Sequence, residues 1–323
     1  MSGSGVSIVM YHYVRDLAAS RYPGIKGLEL SAFREQITFF KSNGFRFISA
    51  EQLLDALDQK STLTENAVFL TFDDGYIDHY TNVFPILKAE GIPAFFSMPG
   101  KILAERKLLD VNKIHFILAS RPTQQLLNLV YERLDHYRGQ EFAIAPNQEL
   151  YQKLAVESRF DAAEVIFFKR LLQAELDERL RNLIADDLFK VCIPLDEAAF
   201  AQELYMSTEQ VALMQREGMH FGIHGYDHYW MNRLSPEALA RDITLALDTF
   251  TGIVDRNKWV CCYPYGSCSD DVIEHIKTQG AAAGVTTVVD RACLDEHSRF
   301  ALPRFDTNDF PPISNHYKQS VSF

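Results

Sequence analysis

Short apolar runs alternate with amphipathic stretches along two parts of the chain, before residue 100 and after residue 207. Apolar runs bounded by turn residues are typical of buried strands, and apolar residues three and four apart are typical of helices. Strands are predicted at Val6–Val14, Phe45–Ser49, Val68–Phe72, Pro93–Met98, Phe221–His224, Trp259–Tyr263, Ala283–Val289 and Ala301–Phe305. Helices are predicted at Ser31–Ser42, Ala50–Leu57, Asp78–Glu90, Ser207–Glu217, Ser235–Phe250 and Ser269–Gln279. This alternation predicts an α/β fold, a distorted (β/α) barrel of seven or eight parallel strands.

The alternation stops between residues 101 and 206, where β-branched runs are few. Helices are predicted there at Ile114–Ala119, Gln124–His136, Gln148–Arg159 and Ala162–Leu183. We interpret this segment as a large helical insertion, because it is far longer than an ordinary connection. The expected division is 1–100 and 207–323 for the two parts of the barrel and 101–206 for the insertion. Two roles stay open for the insertion: a cap that only shields one end of the barrel, or a lid that shapes substrate access.

Composition narrows the classes of function. The 323 residues are 47% hydrophobic, which is enough for a large core. The net charge is −11, from 32 Lys and Arg against 43 Asp and Glu, and this argues against binding to a nucleic-acid backbone. No apolar run reaches the ~20 residues of a membrane span, and no leader is visible, so a cytoplasmic location is expected. The five cysteines show no C-x-x-C spacing, which favours free thiols in a reducing compartment over disulfides or a zinc set.

Two adjacent carboxylates, Asp73 and Asp74, follow the apolar run Val68–Phe72, and Gly75 comes next. Carboxylates at the tip of a buried strand repel each other and lose hydration, so the pair is costly without a nearby cation. Because side chains alternate along a strand, the two are expected to point in different directions. One carboxylate could then bind a metal while the other moves a proton. The alternative is an ordinary strand-ending turn, since Asp and Gly are common turn residues.

A second polar cluster lies far downstream, where His224 and His228 stand four positions apart. Two imidazoles at this spacing can converge on one ion from a helix turn or a tight loop. The preceding strand and Gly225 favour a loop. With one carboxylate the histidines complete a set that leaves positions open for water and substrate. An isolated H-x-x-x-H is weak evidence for a metal site, because such histidines are more often incidental surface residues. Its combination with D-D-G predicts a metal site.

The sequence T-F-D-D-G-Y at Thr71–Tyr76, together with H-x-x-x-H at His224–His228, resembles the polysaccharide deacetylases of carbohydrate esterase family four, the NodB-homology group. Y-P-Y-G at Tyr263–Gly266 falls where a third motif of that family is expected. The resemblance covers about residues 6–100 and 207–310 and does not extend to the helical insertion. It implies a barrel enzyme that uses one divalent ion to remove the N-acetyl group of an amino sugar.

The resemblance also implies a role for each motif residue. Asp73 would act as the general base on the attacking water. The metal ligands would be Asp74, His224 and His228. Zinc is expected first, with cobalt, nickel, manganese or magnesium as alternatives. The backbone N–H of Tyr265 would stabilise the oxyanion that forms at the amide carbonyl.

The sequence departs from the common family pattern at two places. Cys262 replaces the arginine two residues before the third-motif proline, and no C-terminal Leu-x-His supplies the usual acid. Met10–Tyr13 resembles the first strand of the biofilm poly-N-acetylglucosamine deacetylases, whose motif order is permuted, and this implies that His12 protonates the leaving amine. A histidine bonded inside the core is the alternative. For the missing arginine we expect Arg304 to pair with Asp73, and a surface salt bridge is the alternative.

Aromatic residues near these motifs could stack on a sugar ring. Tyr226 and Trp230 are the expected groove residues, with wall packing as the alternative. The expected substrate is an N-acetylated amino sugar in an oligosaccharide, a lipid-linked precursor or a sugar nucleotide of surface-polysaccharide synthesis. Three other functions stay open: hydrolysis of a non-sugar amide or imide, removal of a formyl group, and carbohydrate binding without turnover. The last is motivated by the missing arginine and C-terminal histidine.

Overall fold

The structure, a computed structural model, describes residues 5–159, 161–295 and 297–319. The chain forms two compact units. The larger unit comprises the chain up to Asp16, Gly27–Lys107 and the chain from Ala201 onward, and the smaller comprises Leu17–Lys26 and Leu108–Phe200. The sequence pattern predicts boundaries at residues 100 and 206. The short loop 17–26, expected within the barrel, belongs to the smaller unit.

The larger unit is built on a parallel sheet. Its strands are β1 Ser7–Tyr11, β2 Val14–Arg15, β3 Leu28–Glu29, β4 Arg46–Phe47, β5 Ala67–Asp73, β6 Phe95–Met98, β7 His220–Ile223, β8 Trp259–Cys262, β9 Ala281–Val285 and β10 Phe305–Asp306. The order is β10-β1-β5-β6-β7-β8-β9, with β4 beside the start of β5, while β2 and β3 pair separately. Leu302 forms a bridge to Val285 of β9, and Phe305 pairs with Val9 of β1. The segment that ends in β10 therefore connects the β9 edge of the sheet with β1. The predicted distorted (β/α) barrel is confirmed.

Helices flank the sheet in the larger unit and make up the smaller one. They are α1 Leu30–Ser42, α2 Ala50–Leu57, α3 Phe84–Glu90, α4 Gly100–Ala104, α5 Asp110–Ser120, α6 Thr123–Tyr137, α7 Asn147–Leu154, α8 Ala163–Arg170, α9 Glu178–Cys192, α10 Glu197–Leu204, α11 Thr208–Arg216, α12 Pro236–Thr249 and α13 Asp270–Thr278. The boundary between the units falls within α10. Among the described residues, no helix is both long and apolar enough to cross a membrane. All five cysteines are free thiols, as their spacing predicts.

One predicted helix of the insertion is wrong. The pattern predicts a single helix over Ala162–Leu183, but α8 continues into a π-helical turn at Leu171–Glu175 and ends there. Asp177 then starts α9, because its carboxylate accepts hydrogen bonds from the backbone N–H groups of Arg179 and Leu180. Asp is a preferred N-cap residue, so the break has a local cause that apolar spacing does not reveal.

The parallel topology gathers the functional motifs at one end of the sheet. All seven residues of β5 are buried, which is why this strand is almost continuously apolar in sequence. The residues that directly follow β1, β5, β7 and β8 are His12, Asp74, His224 and Tyr263. Because parallel strands share a direction, these residues lie at the carboxyl edge, where barrel enzymes place their active sites.

Gly222 lies inside β7, where a side chain has no room. A Cβ here would overlap the ring of Phe95 and lie 2.7 Å from the carbonyl oxygen of Val260. We expect Gly222→Ala to lower the free energy of unfolding by about 1–3 kcal/mol, because the flanking strands cannot move apart. In the control Gly24→Ala the added methyl makes only ordinary contact with Ala119, and stability should change by less than about 0.5 kcal/mol. Chemical denaturation measures both, and equal losses would contradict the prediction.

Candidate active site

The carboxylate of Asp73 is buried at the end of β5 and held from several sides. Arg304 binds it through two parallel bonds, from Nη1 to Oδ1 at 3.0 Å and from Nη2 to Oδ2 at 2.8 Å. Ser97, the register partner of Asp73 on β6, donates its hydroxyl to Oδ1 at 2.6 Å. The thiol of Cys262 lies 3.4 Å from the same oxygen. Oδ1 is therefore saturated, whereas Oδ2 accepts from Arg304 and faces Nε2 of His12 at 4.0 Å.

Arg304 reaches this carboxylate from the segment before β10 and is fully buried. Its Nε donates to the carbonyl of Thr286 at 2.8 Å, and Nη1 also contacts the hydroxyl of Thr71 at 3.0 Å. Burial raises the pKa of Asp73, but Arg304, His224 and His12 together outweigh burial and hold that pKa well below its usual range. The expected contact between Arg304 and Asp73 is present. The surface salt bridge is wrong, because the side chain of Arg304 has no exposed area.

Asp74 points away from Asp73 and meets two histidines. Its Oδ1 lies 3.4 Å from Nε2 of His224 and 3.3 Å from Nε2 of His228, and all three side chains are buried. Oδ1 has no hydrogen-bond partner among the described residues. Oδ2 accepts from the hydroxyl of Tyr76 at 2.5 Å. The two adjacent carboxylates thus have different partners, as expected, and only the second lies within 3.4 Å of both histidines.

These separations fit a divalent cation. Ligand atoms about 2.0–2.1 Å from a tetrahedral ion stand about 3.3–3.4 Å from one another. A buried carboxylate oxygen without a donor is costly, and a cation removes that cost. Burial lowers the pKa of His228, which favours the neutral imidazole that a metal requires. Asp74, His224 and His228 are therefore a suitable ligand set of one oxygen and two nitrogens.

The ring of His224 is oriented by the neighbouring strand β8. Its Nδ1 lies 2.7 Å from the carbonyl oxygen of Cys262. A carbonyl can only accept, so Nδ1 carries a proton, and in the neutral ring Nε2 keeps the lone pair that a metal would bind. The backbone carbonyl of Cys262 therefore orients His224, and its thiol contacts the carboxylate of Asp73.

The two histidines are joined by a loop, as expected, and the loop is held by a residue that sequence reasoning missed. Asp242 of α12 accepts from the backbone N–H of Tyr226 at 2.9 Å and of Asp227 at 3.0 Å. Its carboxylate is buried on a helix that is otherwise apolar on this face. A buried acid on an apolar helix face was the available signal, but its partner could not be read from the sequence.

Backbone strain is concentrated in this site. Three residues other than glycine have left-handed backbones here: Asp74 with φ 73°, His228 with φ 61° and Tyr265 with φ 59°. The left-handed conformation costs roughly 1–2 kcal/mol of folding free energy for each such residue, so the surrounding structure must hold it. Gly75 continues the turn with φ 68°, and a Cβ on it would lie 2.7 Å from the side chain of Met98. The glycine of D-D-G is therefore required by space as well as by conformation.

The two expected groove residues lie in different surroundings. Trp230 stacks on Tyr265 with ring centroids 4.8 Å apart, and Tyr265 lies edge-on to His228 at 4.8 Å. Trp230 thus borders the histidines through Tyr265. Tyr226 instead donates its hydroxyl to Glu105 at 2.9 Å, so the structure does not bring it into the cluster.

His12 lies beside the cluster and is open to solvent. Its side chain is 37% exposed, so the alternative of a histidine bonded inside the core is wrong. Ser97 and Tyr76, which hold the two carboxylates, were missed as site residues. Ser97 is a polar residue in an apolar strand, which was a usable signal, whereas Tyr76 reads equally well as wall packing.

The chain matches the family model for polysaccharide deacetylase over residues 60–131 and 195–284, about half of its length. The chain belongs to the polysaccharide deacetylase family. A poly-β-1,6-N-acetyl-D-glucosamine N-deacetylase of Escherichia coli K12 is 39% identical over 97 residues, which are 30% of this chain and 14% of that protein. The chain therefore aligns with far less than two thirds of this relative.

Solved structures of similar fold align with nearly the whole chain. The Streptococcus pyogenes deacetylase PplD in complex with acetate has a TM-score of 0.59 and 17% identity and covers 100% of both chains. IcaB from Ammonifex degensii has a TM-score of 0.57 and 19% identity and covers 98% of this chain and 95% of its own. At these identities the likeness shows the fold.

Tyr76 holds Oδ2 of Asp74 and so orients Oδ1, the oxygen that faces the two histidines. We expect Tyr76→Phe to weaken zinc binding about 10- to 100-fold, because outer hydrogen bonds fix ligand orientation. The control Tyr263→Phe removes an equally buried hydroxyl that donates to the carbonyl of Phe300 at 2.8 Å. Competition with a chelator of known zinc affinity measures both variants. Equal zinc affinities would contradict the orienting role of Tyr76.

Proposed function

We propose that this protein hydrolyses the N-acetyl group of an amino sugar in a polysaccharide or its precursor, with one divalent ion as cofactor. One observation carries the proposal. Asp74 has a buried oxygen without a partner among the described residues, 3.3–3.4 Å from the nitrogens of His224 and His228, beside the separately held Asp73. Family membership supports a polysaccharide substrate, and the E. coli relative is named for N-acetylglucosamine.

The ligand set favours a particular choice of ion. When bound, the ion supplies a Lewis acid for the amide carbonyl and the attacking water. Zinc is the first expectation, because imidazoles and a carboxylate are among its usual ligands. Cobalt, nickel, manganese and magnesium stay alternatives.

The protein's own residues would move the protons. Asp73 would take a proton from the attacking water through Oδ2, since Oδ1 is already saturated. As the water oxygen bonds to the carbonyl carbon and the C–N bond breaks, His12 would give a proton to the nitrogen, so acetate and a free amine leave. The backbone N–H of Tyr265 would stabilise the oxyanion. Arg304 would keep Asp73 ionised between turnovers.

The rival functions differ in what the site must contain. Binding without turnover was motivated by a missing arginine and a missing acid. Arg304 now contacts Asp73 and His12 faces the same carboxylate, and this supports catalysis. Hydrolysis of a non-sugar amide and removal of a formyl group stay alternatives that a substrate comparison separates. The lid or cap role of the insertion, the form of the precursor and the cytoplasmic location stay predictions.

Substitution of each carboxylate separates the two proposed roles. We expect Asp74→Ala to lose metal and activity together, because it removes a ligand. We expect Asp73→Asn to keep the metal and lose about 10²–10⁴-fold in rate, because it removes only the base. Elemental analysis measures the metal, and acyl release from N-acetyl and N-formyl glucosamine oligomers measures the rate. Full activity of Asp73→Asn would disprove the base assignment, and wild-type protein that binds metal without acyl release would favour a binding function.

A further inference from the structure

His12 is held by its backbone. It lies one residue beyond β1, and its Nε2 is 4.0 Å from Oδ2 of Asp73, which is beyond hydrogen-bond distance. Its carbonyl oxygen, in contrast, lies 2.9 Å from Nε2 of His79. His79 begins a π-helical turn, His79–Val83, that follows the carboxylate pair in the chain. The peptide of His12 is therefore the part that the protein fixes.

The residues just after His12 are bound to the same turn. Asp78 accepts from the backbone N–H of Val14 at 3.2 Å and from the guanidinium of Arg15 at 2.7 and 2.8 Å. Asn82 donates to the carbonyl of Val14 at 2.8 Å. Residues 78–82 thus hold the backbone of His12 and Val14 and the side chain of Arg15.

The buried, neutral ring of His79 can donate one hydrogen bond, and it donates that bond to the carbonyl of His12. Its ring is fully buried, 5.5–5.7 Å between centroids from Phe72, Tyr76 and Phe96. Burial lowers the pKa of His79 to about 4, so the ring is neutral at neutral pH. A carbonyl can only accept, so the one ring proton is on Nε2 and is donated to His12. Nδ1 has no hydrogen-bond partner among the described residues, a cost that an apolar residue would avoid.

The π-helical turn accounts for this placement. The backbone N–H of Phe84 bonds to the carbonyl of His79, five residues earlier. Pro85 follows and has no N–H with which to continue an ordinary helix. Turns of this kind are rare and are found frequently at functional sites. The wider turn directs Asp78, His79 and Asn82 toward the same strand end.

We propose that His79 is a positioning residue that fixes the peptide of His12, so that the imidazole stays aligned for proton donation to the leaving amine. This inference rests on the proposed function, in which His12 is the acid. It extends the machinery of the site to a turn that neither sequence motif includes.

Two substrates separate this role from a structural one. An oligomer of N-acetylglucosamine has an amine leaving group that needs a proton, whereas an umbelliferyl acetate ester leaves as a phenolate that needs none. We expect His79→Leu to lower kcat on the oligomer about 10- to 100-fold, as a small misplacement of a catalytic group does. KM, metal content and ester hydrolysis should be unchanged. His79→Gln, which keeps an N–H donor, should restore most of kcat, and the exposed control Thr81→Ala should match wild type.

A double-mutant cycle with His12→Ala tests whether His79 acts through His12. In the His12→Ala background, His79→Leu should cost no further rate. Additive losses, or equal losses on oligomer and ester, would overturn the positioning role while leaving the proposed function intact. If His12→Ala releases acetate at the wild-type rate, the acid assignment itself fails and the inference falls with it. If His79→Leu does not fold, Asp78→Asn is put through the same cycle with the same criteria.

Discussion

Two adjacent carboxylates buried at the end of β5 constrain everything else in the site. Asp73 and Asp74 are each 1% exposed, so neither is hydrated and each raises the cost of ionising the other. Asp73 is compensated by Arg304 and by the hydroxyl of Ser97. Asp74 receives one bond, from Tyr76, on the oxygen that faces away from the histidines. The different tasks proposed for the two acids follow from this difference, because one charge is neutralised within the protein and the other is left for a cation.

The connection between β5 and α3 combines several functions in a few residues. It contains both carboxylates, and Tyr76 within it orients the second one. Its π-helical turn then reaches back to the strand end at His12 through Asp78 and His79. The proposed base, one proposed metal ligand and the support of the proposed acid are therefore parts of one short stretch of chain.

Sequence reasoning was most successful where chemistry is local. D-D-G and H-x-x-x-H predicted that one of two carboxylates meets two histidines, and the family resemblance implied that it is Asp74, which lies 3.3–3.4 Å from both imidazoles. It failed where a partner depends on register or on a turn. Ser97 meets Asp73 through the register in which β5 and β6 pair, and His79 meets His12 from a π-helical turn. Neither of those facts has a signature in residue spacing.

Arg304 places a guanidinium beside Asp73 from a part of the chain that differs from the family pattern. Cys262 occupies the sequence position where the family pattern has an arginine, and its thiol lies 3.4 Å from Oδ1 of Asp73. Arg304 comes from the segment just before β10 and contacts Thr286 and Thr71, and its planar fork meets both oxygens of Asp73. A lysine has one point charge and could not bind both. An arginine at position 262 would bring a second cation to Oδ1 of Asp73, which already accepts from Arg304 and Ser97, so the small thiol at position 262 is compatible with Arg304.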